Sequence, residues 1–511
     1  MLTLPLEIIH HVFSFLSSDS SLAPYASVNK RWQTLVEKTT FSSLNLTPAR
    51  LPDLLRFVSA SSRRRSYVHK IELLAILPEY SIPARGEVET ADEQRCNDES
   101  FTRAIHSLFD ILSSWPDSCR LTLRIFARSP SDLNGEPDMA KRKKRLLYKR
   151  RGKDLLDLRY HHSYLRLSAL EHTLPSVRAI VDLDVIGDIS YSDYRRIAPA
   201  AVSGIISCLP RLRTLNGVLC DNERRDMTVK RSLRDEFAVS LTQWPASIQH
   251  LHLKYRGDPP ANQNRPPPRL SEKGTDALCL ALNCLSQQLV TIELEDITIG
   301  PELFWPSDAA SISPPRWPHL THFTVVYGSA TTCGQWFFDR DPRSNVKNYE
   351  HQRPYEDLAE DWPDPRIPAE QDYPVDLFRT EPAPVLNELY RAAGLAAQQM
   401  PLLQQMVLVA QVRASHLECP GMTTVPQAEH WFRYLRISNL VQWVGFSEYH
   451  PTEEVLNTCR DVGKSYSLEQ MKFENMGFVS CPSLLIRDYG DINFLDEYKT
   501  EDNGYVLWDK A

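Results

Sequence analysis

Trp244-Pro245-Ala246-Ser247-Ile248-Gln249-His250-Leu251-His252-Leu253-Lys254-Tyr255 is the stretch on which the architecture turns. Strand side chains point alternately to opposite faces. One parity holds Gln249, Leu251, Leu253 and Tyr255, and the other holds Ile248, His250, His252 and Lys254. The first set is the more apolar, so it predicts a face packed on helices. The second predicts an outer face, despite Ile248.

The pattern recurs on both sides. Short alternating runs follow Leu174-Pro175, Leu209-Pro210 and Trp317-Pro318, and another spans 289–297. Such runs read as half-buried strands. In the run after Pro318, Phe323 and Val325 are expected inward, and His322 and Thr324 outward. Between the strands lie helical spacings: Ile197, Ala201, Ile205 and Ile206 within 191–208; Leu233, Phe237 and Leu241 within 224–241; Leu278, Leu282 and Leu285 within 275–285. The steps at Pro175, Pro210 and Pro245 keep a constant interval. Helix–strand units at a fixed period predict stacked repeats. The fold class expected is therefore α/β, with an irregular leucine-rich-repeat-like helix–strand solenoid over 119–338. A plain α/β domain is the alternative, because the asparagine of the leucine-rich consensus is absent.

Outside this body, residues 339–384 are rich in proline and acid, and predict an insertion that builds no core. Residues 385–511 predict a helix at 385–400, a strand at 402–412, a strand-like run at 431–444, and a helix at 452–462. They are expected to continue the body and form a small α+β cap. Residues 48–118 are expected as a linking helical region.

The first 47 residues read differently. Leu4-Pro5-Leu6-Glu7-Ile8-Ile9-His10-His11-Val12-Phe13-Ser14-Phe15-Leu16 places apolar residues at helical spacing, with Pro5 in a first turn. Leu22 and Val28 belong to a second short helix, and Trp32, Leu35 and Val36 to a third. Three short helices cannot hide that much apolar surface, so part of it should face a partner. This order and spacing resembles an F-box, closed by Phe41 where many F-boxes have tryptophan. The resemblance implies docking on a Skp-family adaptor, and through it on a cullin–RING scaffold. It implies adaptor-facing roles for Leu4, Pro5, Ile8, Ile9, Val12, Phe13, Leu16, Leu22, Val28 and Trp32. The wider order of pieces resembles filamentous-fungal F-box proteins, through the segments 157–164, 301–306 and 336–342.

Composition bounds the remaining functions. The chain has 511 residues, 42% hydrophobic and 24% charged, with a net charge of −7. That charge gives no case for nucleic-acid binding. Ten cysteines without a Cys-x-x-Cys pair fit a reducing compartment. No long apolar run or basic leader points to a membrane or to secretion, so a cytoplasmic or nuclear location is expected. Lys141, Arg142, Lys143, Lys144, Arg145, Lys149, Arg150 and Arg151 form a basic cluster, readable as a nuclear-import signal or as a charged surface.

Catalytic signatures are weak. Gly463-Lys464-Ser465 lacks the upstream glycine of a phosphate loop, where Thr458 stands, and follows a helix instead of preceding one. Asp339 and Asp341 fit a solvated acidic loop better than a metal pair. The adjacent pairs His10-His11 and His161-His162 cannot converge on a metal, and zinc spacings are absent. The expectation is a non-enzymatic chain with no cofactor and no metal, which recruits a substrate for a ubiquitin ligase. The alternatives are an F-box scaffold outside a ligase, or an unrecognised hydrolase or transferase. His250, His252, Lys254, His322 and Thr324 are expected on one outer surface open to a protein partner, or forming simply its wet side.

Overall fold

The computed structural model describes residues 22–81, 84, 87–133, 159–160, 163–168, 173–187, 195–221, 227–257, 263, 266–271, 274–306, 314–340, 379–413, 427–445, 447–466, 471–478 and 505–509. Asn29 opens the first long helix, α1 (Lys30–Ser42), by accepting the backbone N–H groups of Arg31 at 2.9 Å and Trp32 at 3.1 Å. Helix α1 runs directly into strand β1 (Ser43–Leu46). Short helical turns follow at Pro48–Arg50, Leu51–Asp53, Leu54–Ser59 and Ser62–Arg65.

The sheet then grows strand by strand. In order come β2 (Lys70–Ile76), β3 (Leu121–Arg128), β4 (Ile180–Ile186), β5 (Thr214–Cys220), β6 (His250–Arg256), β7 (Thr291–Ile297) and β8 (His322–Tyr327). All are parallel. The ribbon β9 (Phe338–Arg340) and β10 (Arg379–Pro382) is antiparallel and separate. It joins the two ends of the proline-rich insertion, whose residues 341–378 lie outside the described ones. β11 (Gln405–Arg413) rejoins the main sheet parallel to β8. β12 (Gln427–Leu435) and β13 (Leu440–Gly445) form a hairpin, and β14 (Lys472–Phe478) and β15 (Tyr505–Asp509) complete thirteen strands in one sheet.

Helices α2 (Ala91–Ser113), α3 (Pro199–Ser207), α4 (Met227–Ser240), α5 (Ala277–Ser286), α6 (Val385–Ala397) and α7 (Glu453–Ser465) supply the apolar cover. A reciprocal capping box between Thr90 and Glu93 starts α2. The in-register row Ile71–Leu123–Leu183–Leu215–Leu251–Ile292–Phe323–Met406 crosses the sheet from β2 to β11. Every member is buried in the same core as the helices' apolar stripes. Helices α6 and α7 approach closely at Gly394, where a Cβ would meet the Thr458 methyl at 2.8 Å.

The chain is α/β, with strand alternation as expected, but the solenoid expectation is corrected. The structure shows no solenoid. The starts of β4, β5, β6 and β7 (180, 214, 250, 291) step by 34, 36 and 41 residues, whereas 70 to 121, 121 to 180 and 322 to 405 are far longer. The strands share one continuous sheet that turns mixed after β11. β12–β15 extend that same sheet. The region 48–118, expected as helical, supplies β2 as well as α2.

Candidate functional site

The residue beside each member of the buried row faces the other way. These neighbours form a second row: Asn45, Glu72, Arg124, Asp184, Asn216, His252, Glu293, Thr324 and Val407. Parallel sheets are usually covered on both faces and read as continuous apolar runs. Here β2 to β7 alternate, so one face is polar and half-exposed.

That polar face ties itself together across strands. Arg124 lies 3.3 Å from Glu72 and 3.8 Å from Asp184, and Asn216 donates to Asp184 at 2.8 Å. His250 Nδ1 meets the Thr291 hydroxyl at 2.9 Å. His252 Nε2 meets Glu295 Oε1 at 3.2 Å, and Lys254 Nζ lies 3.1 Å from both Glu295 Oε2 and Asp296 Oδ2. The Glu295 contact raises the His252 pKa against burial, which opposes it. Burial disfavours the Lys254 charge, but Asp296 and Glu295 outweigh it and hold its pKa above the usual range. Glu295 is held below the carboxylate range by its hydrogen bond from His252, against burial and with help from Lys254.

A bulge makes this grip possible. Pairing between β7 and β8 shifts between Leu294 and Ile297, and Asp296 has φ +56°. In a regular strand Glu295 and Asp296 would point oppositely. The extra residue lets both carboxylates reach Lys254, and Asp296 also accepts from Gln411 at 3.2 Å. His322 on β8 is exposed, and burial on its inner side lowers its pKa; Thr324 is half-buried.

His250, His252 and Lys254 of β6 and His322 and Thr324 of β8 therefore lie on one face, on the two strands that flank β7. Past Thr324 that face changes character. Val326, Val407, Val409, Trp431, Val444 and Met476 form a second buried apolar cluster. Continuous apolar stretches such as Val407-Leu408-Val409-Ala410 are its trace in the sequence.

Two buried polar clusters escaped the reading of the sequence. At the ends of β5 and β6, Arg234 of α4 donates to both oxygens of Asp276 at 2.7 and 3.0 Å and to the Thr298 carbonyl at 2.8 Å. Asp276 also caps α5 through the Cys279 N–H at 2.8 Å. The second cluster, beyond β2–β4, stacks the Arg159 guanidinium 3.7 Å from the Tyr80 ring and Arg195 3.6 Å from Tyr160. Both tyrosine hydroxyls donate to Asp132, while Arg195 donates to Glu89 and Ser163. Cations and carboxylates are matched in both, so these clusters brace the fold. Helix spacing marks apolar stripes, and nothing in it shows which arginine lies beneath a neighbouring helix.

The N-terminal module is described only in part. Leu4, Pro5, Ile8, Ile9, Val12, Phe13 and Leu16 lie outside the described residues, as do 141–151, His161 and His162. Leu22 is half-buried, Val28 is 59% exposed, and half-buried Trp32 stacks at a tilt on Tyr25 with centroids 6.4 Å apart. Leu35, Val36 and Glu37 are buried. Glu37 takes Arg63 at 2.6 Å and Arg64 at 2.8 Å, and Arg64 also lies over Phe41. This clamp fastens α1 to the Ser62–Arg65 turn. Lys464 pairs with Asp461 at 2.8 Å in the last turns of α7, the wrong helix end for a phosphate. No helix among the described residues is long and apolar enough to cross a membrane.

What the architecture defines is a helical module, described from Leu22 on, that runs without a linker into a sheet whose outer face is polar from β2 to β7. An F-box-like family model matches residues 1–47, which makes that module an F-box-like domain and supports a general F-box adaptor role. No curated protein matches the chain.

Proposed function

We propose that this chain is the substrate-recognition subunit of a cullin–RING ubiquitin ligase. It would dock on a Skp-family adaptor through residues 1–47 and hold a protein substrate with its sheet. The carrying observation is the F-box-like match over 1–47, because F-box domains bind Skp-family adaptors as a class. Two features support the reading. Helix α1 enters β1 without a break and is clamped by Glu37, which ties α1 to the start of the sheet. The outer face at β6–β8 presents His250, His252, Lys254, His322 and Thr324 together. On this reading the chain is not an enzyme; it supplies proximity, while the chemistry belongs to its partners. The ligase setting also places it in the cytoplasm or nucleus.

The test measures a Skp-family adaptor against the full chain by calorimetry. Replacing Leu4, Pro5 and Ile8 together by alanine removes apolar anchors and should cost at least ~3 kcal/mol, on the order of a hundredfold in affinity. Undiminished binding by the triple variant would sink the adaptor reading. The substrate half is tested by Lys254→Glu with His250→Glu, which should release the ligase substrate and leave adaptor affinity unchanged.

A further inference from the structure

Ser61-Ser62-Arg63-Arg64-Arg65-Ser66-Tyr67 leads from the short helical turns into β2. Three arginines precede Ser66 and an aromatic residue follows it. Ser66 is exposed and stands in the turn just past the Ser62–Arg65 helix. Its hydroxyl donates to the Arg63 carbonyl at 2.7 Å, a contact within its own turn.

The arginines show what this segment attracts. Arg63 and Arg64 each donate to one oxygen of the Glu37 carboxylate, at 2.6 and 2.8 Å. The Arg63 side chain nonetheless stays 53% exposed, and that of Arg64 29%. Guanidinium groups two and three residues before a serine are what a basophilic protein kinase reads, because carboxylates in its peptide groove pair with them. A kinase takes its peptide extended, so the Ser62–Arg65 helix must open. That helix has four residues, a single turn with little cooperativity of its own, and it unwinds readily. The Glu37 clamp is the contact that opposes opening.

The same geometry says what a phosphate would do. Ser66 keeps helical backbone angles, φ −69° and ψ −13°, so Arg63 and Ser66 are neighbours three residues apart on one side of the turn. A phosphoryl group on Ser66 sets about two negative charges beside Arg63 at pH 7. It also removes the proton that Ser66 gives to the Arg63 carbonyl. The phosphate therefore competes with Glu37 for the Arg63 guanidinium.

We propose that Ser66 is a phosphorylation site for a basophilic protein kinase, and that its phosphate draws Arg63 from Glu37 and loosens α1 from the Ser62–Arg65 turn. ATP is the donor. The bond from Ser66 Oγ to the γ-phosphorus forms as the bond from that phosphorus to the ADP oxygen breaks, and the hydroxyl proton passes to the kinase's general base. The site does not depend on adaptor docking by residues 1–47, and its test contains no adaptor.

The full chain is incubated with the catalytic subunit of cyclic-AMP-dependent protein kinase and ATP, and phosphate is located by mass spectrometry. The expected result is phosphate on Ser66, lost in Ser66→Ala. Arg63→Ala with Arg64→Ala should lower kcat/KM at Ser66 by about tenfold or more. That double change also frees the turn from Glu37, so a fall reports lost recognition and not lost access. Amide exchange on the phosphorylated chain should be faster in α1 and unchanged in α5, with kinase-treated Ser66→Ala as the control. No phosphate on Ser66, a rate at Ser66 indifferent to loss of both arginines, or unchanged α1 exchange after phosphorylation would each overturn the proposal.

Discussion

Arg234→Met should cost this protein about 3–5 kcal/mol of folding stability, the range for removing one partner of a buried ion pair. The arginine is 1% exposed and Asp276 2%. Methionine keeps apolar volume in the gap but leaves the Asp276 carboxylate without its two donors at 2.7 and 3.0 Å. It also removes the donor to the Thr298 carbonyl and the cation 3.6 Å from Asp221. Asp276→Asn should cost less, since the amide oxygen still caps α5 and Arg234 keeps Asp221. The double variant should be less destabilised than the sum of the two by at least about 1.5 kcal/mol, because the second change removes the orphaned charge. The assay is urea unfolding at pH 7 with the slope held constant, so that midpoint shifts report stability. Asp276 adds a pH signature. Burial raises its pKa, but Arg234 more than reverses this, and the group titrates below its ordinary 3.8. Its contribution is present above that value and disappears as pH falls through the lower folded value; Arg234→Met should abolish that acid-side loss. A cost below 1 kcal/mol for Arg234→Met, or additivity in the double variant, would refute the reasoning.

Asp98 should behave in the opposite sense. Burial raises its pKa to about 6, against the Arg166 backbone N–H it accepts at 2.8 Å and nearby arginines. The folded state therefore holds the proton more tightly, and stability falls as pH rises from about 3.8 to about 6. Asp98→Asn should flatten that slope and stabilise the protein at pH 7 by about 1 kcal/mol, after discounting for partial exposure; an unchanged pH profile in urea unfolding would show the charge is not desolvated. Glu37→Ala should cost about 1–2 kcal/mol, mostly through Arg64, since Arg63 is half-exposed. Its amide-exchange signature should be faster exchange in α1 with α5 unchanged, and equal acceleration in both would mean the clamp is not local.

The sheet was legible where one face is wet. Alternation at 250–255 separates Leu251, Leu253 and Tyr255 from His250, His252 and Lys254 because water and helices select opposite residue types. The helix stripes at Leu233–Phe237 and Leu278–Leu285 were legible for the same reason. β2 was harder, because Leu73-Leu74-Ala75-Ile76 mixes both faces and reads equally as helix. Topology failed where distance along the chain hides adjacency. Nothing near Gln405 announces that β11 pairs with β8 across the proline-rich insertion. The bulge at Asp296 was invisible for a different cause. Its left-handed backbone sits on an aspartate, not a glycine, and a single aspartate within a strand-like run does not mark a bulge.

That bulge also limits what the outer face can bind. A partner meeting His252, Lys254 or Glu295 does not find bare charges; each already has a protein contact near 3 Å. Breaking such contacts costs nearly what new ones return, so simple electrostatic attraction gives little net affinity there. His322 differs, because it is exposed and its ring meets the hydroxyl of its own neighbour Thr321 at 2.9 Å. A partner can engage it without dismantling a cross-strand pair. The β8 edge of the polar face, where His322 and Thr324 border the apolar cluster beginning at Val326, is thus the cheapest place on this surface to gain contacts. Affinity for a recruited protein should concentrate there, and reversing charge at His250 and Lys254 should release that partner by repulsion beside it more than by lost contacts.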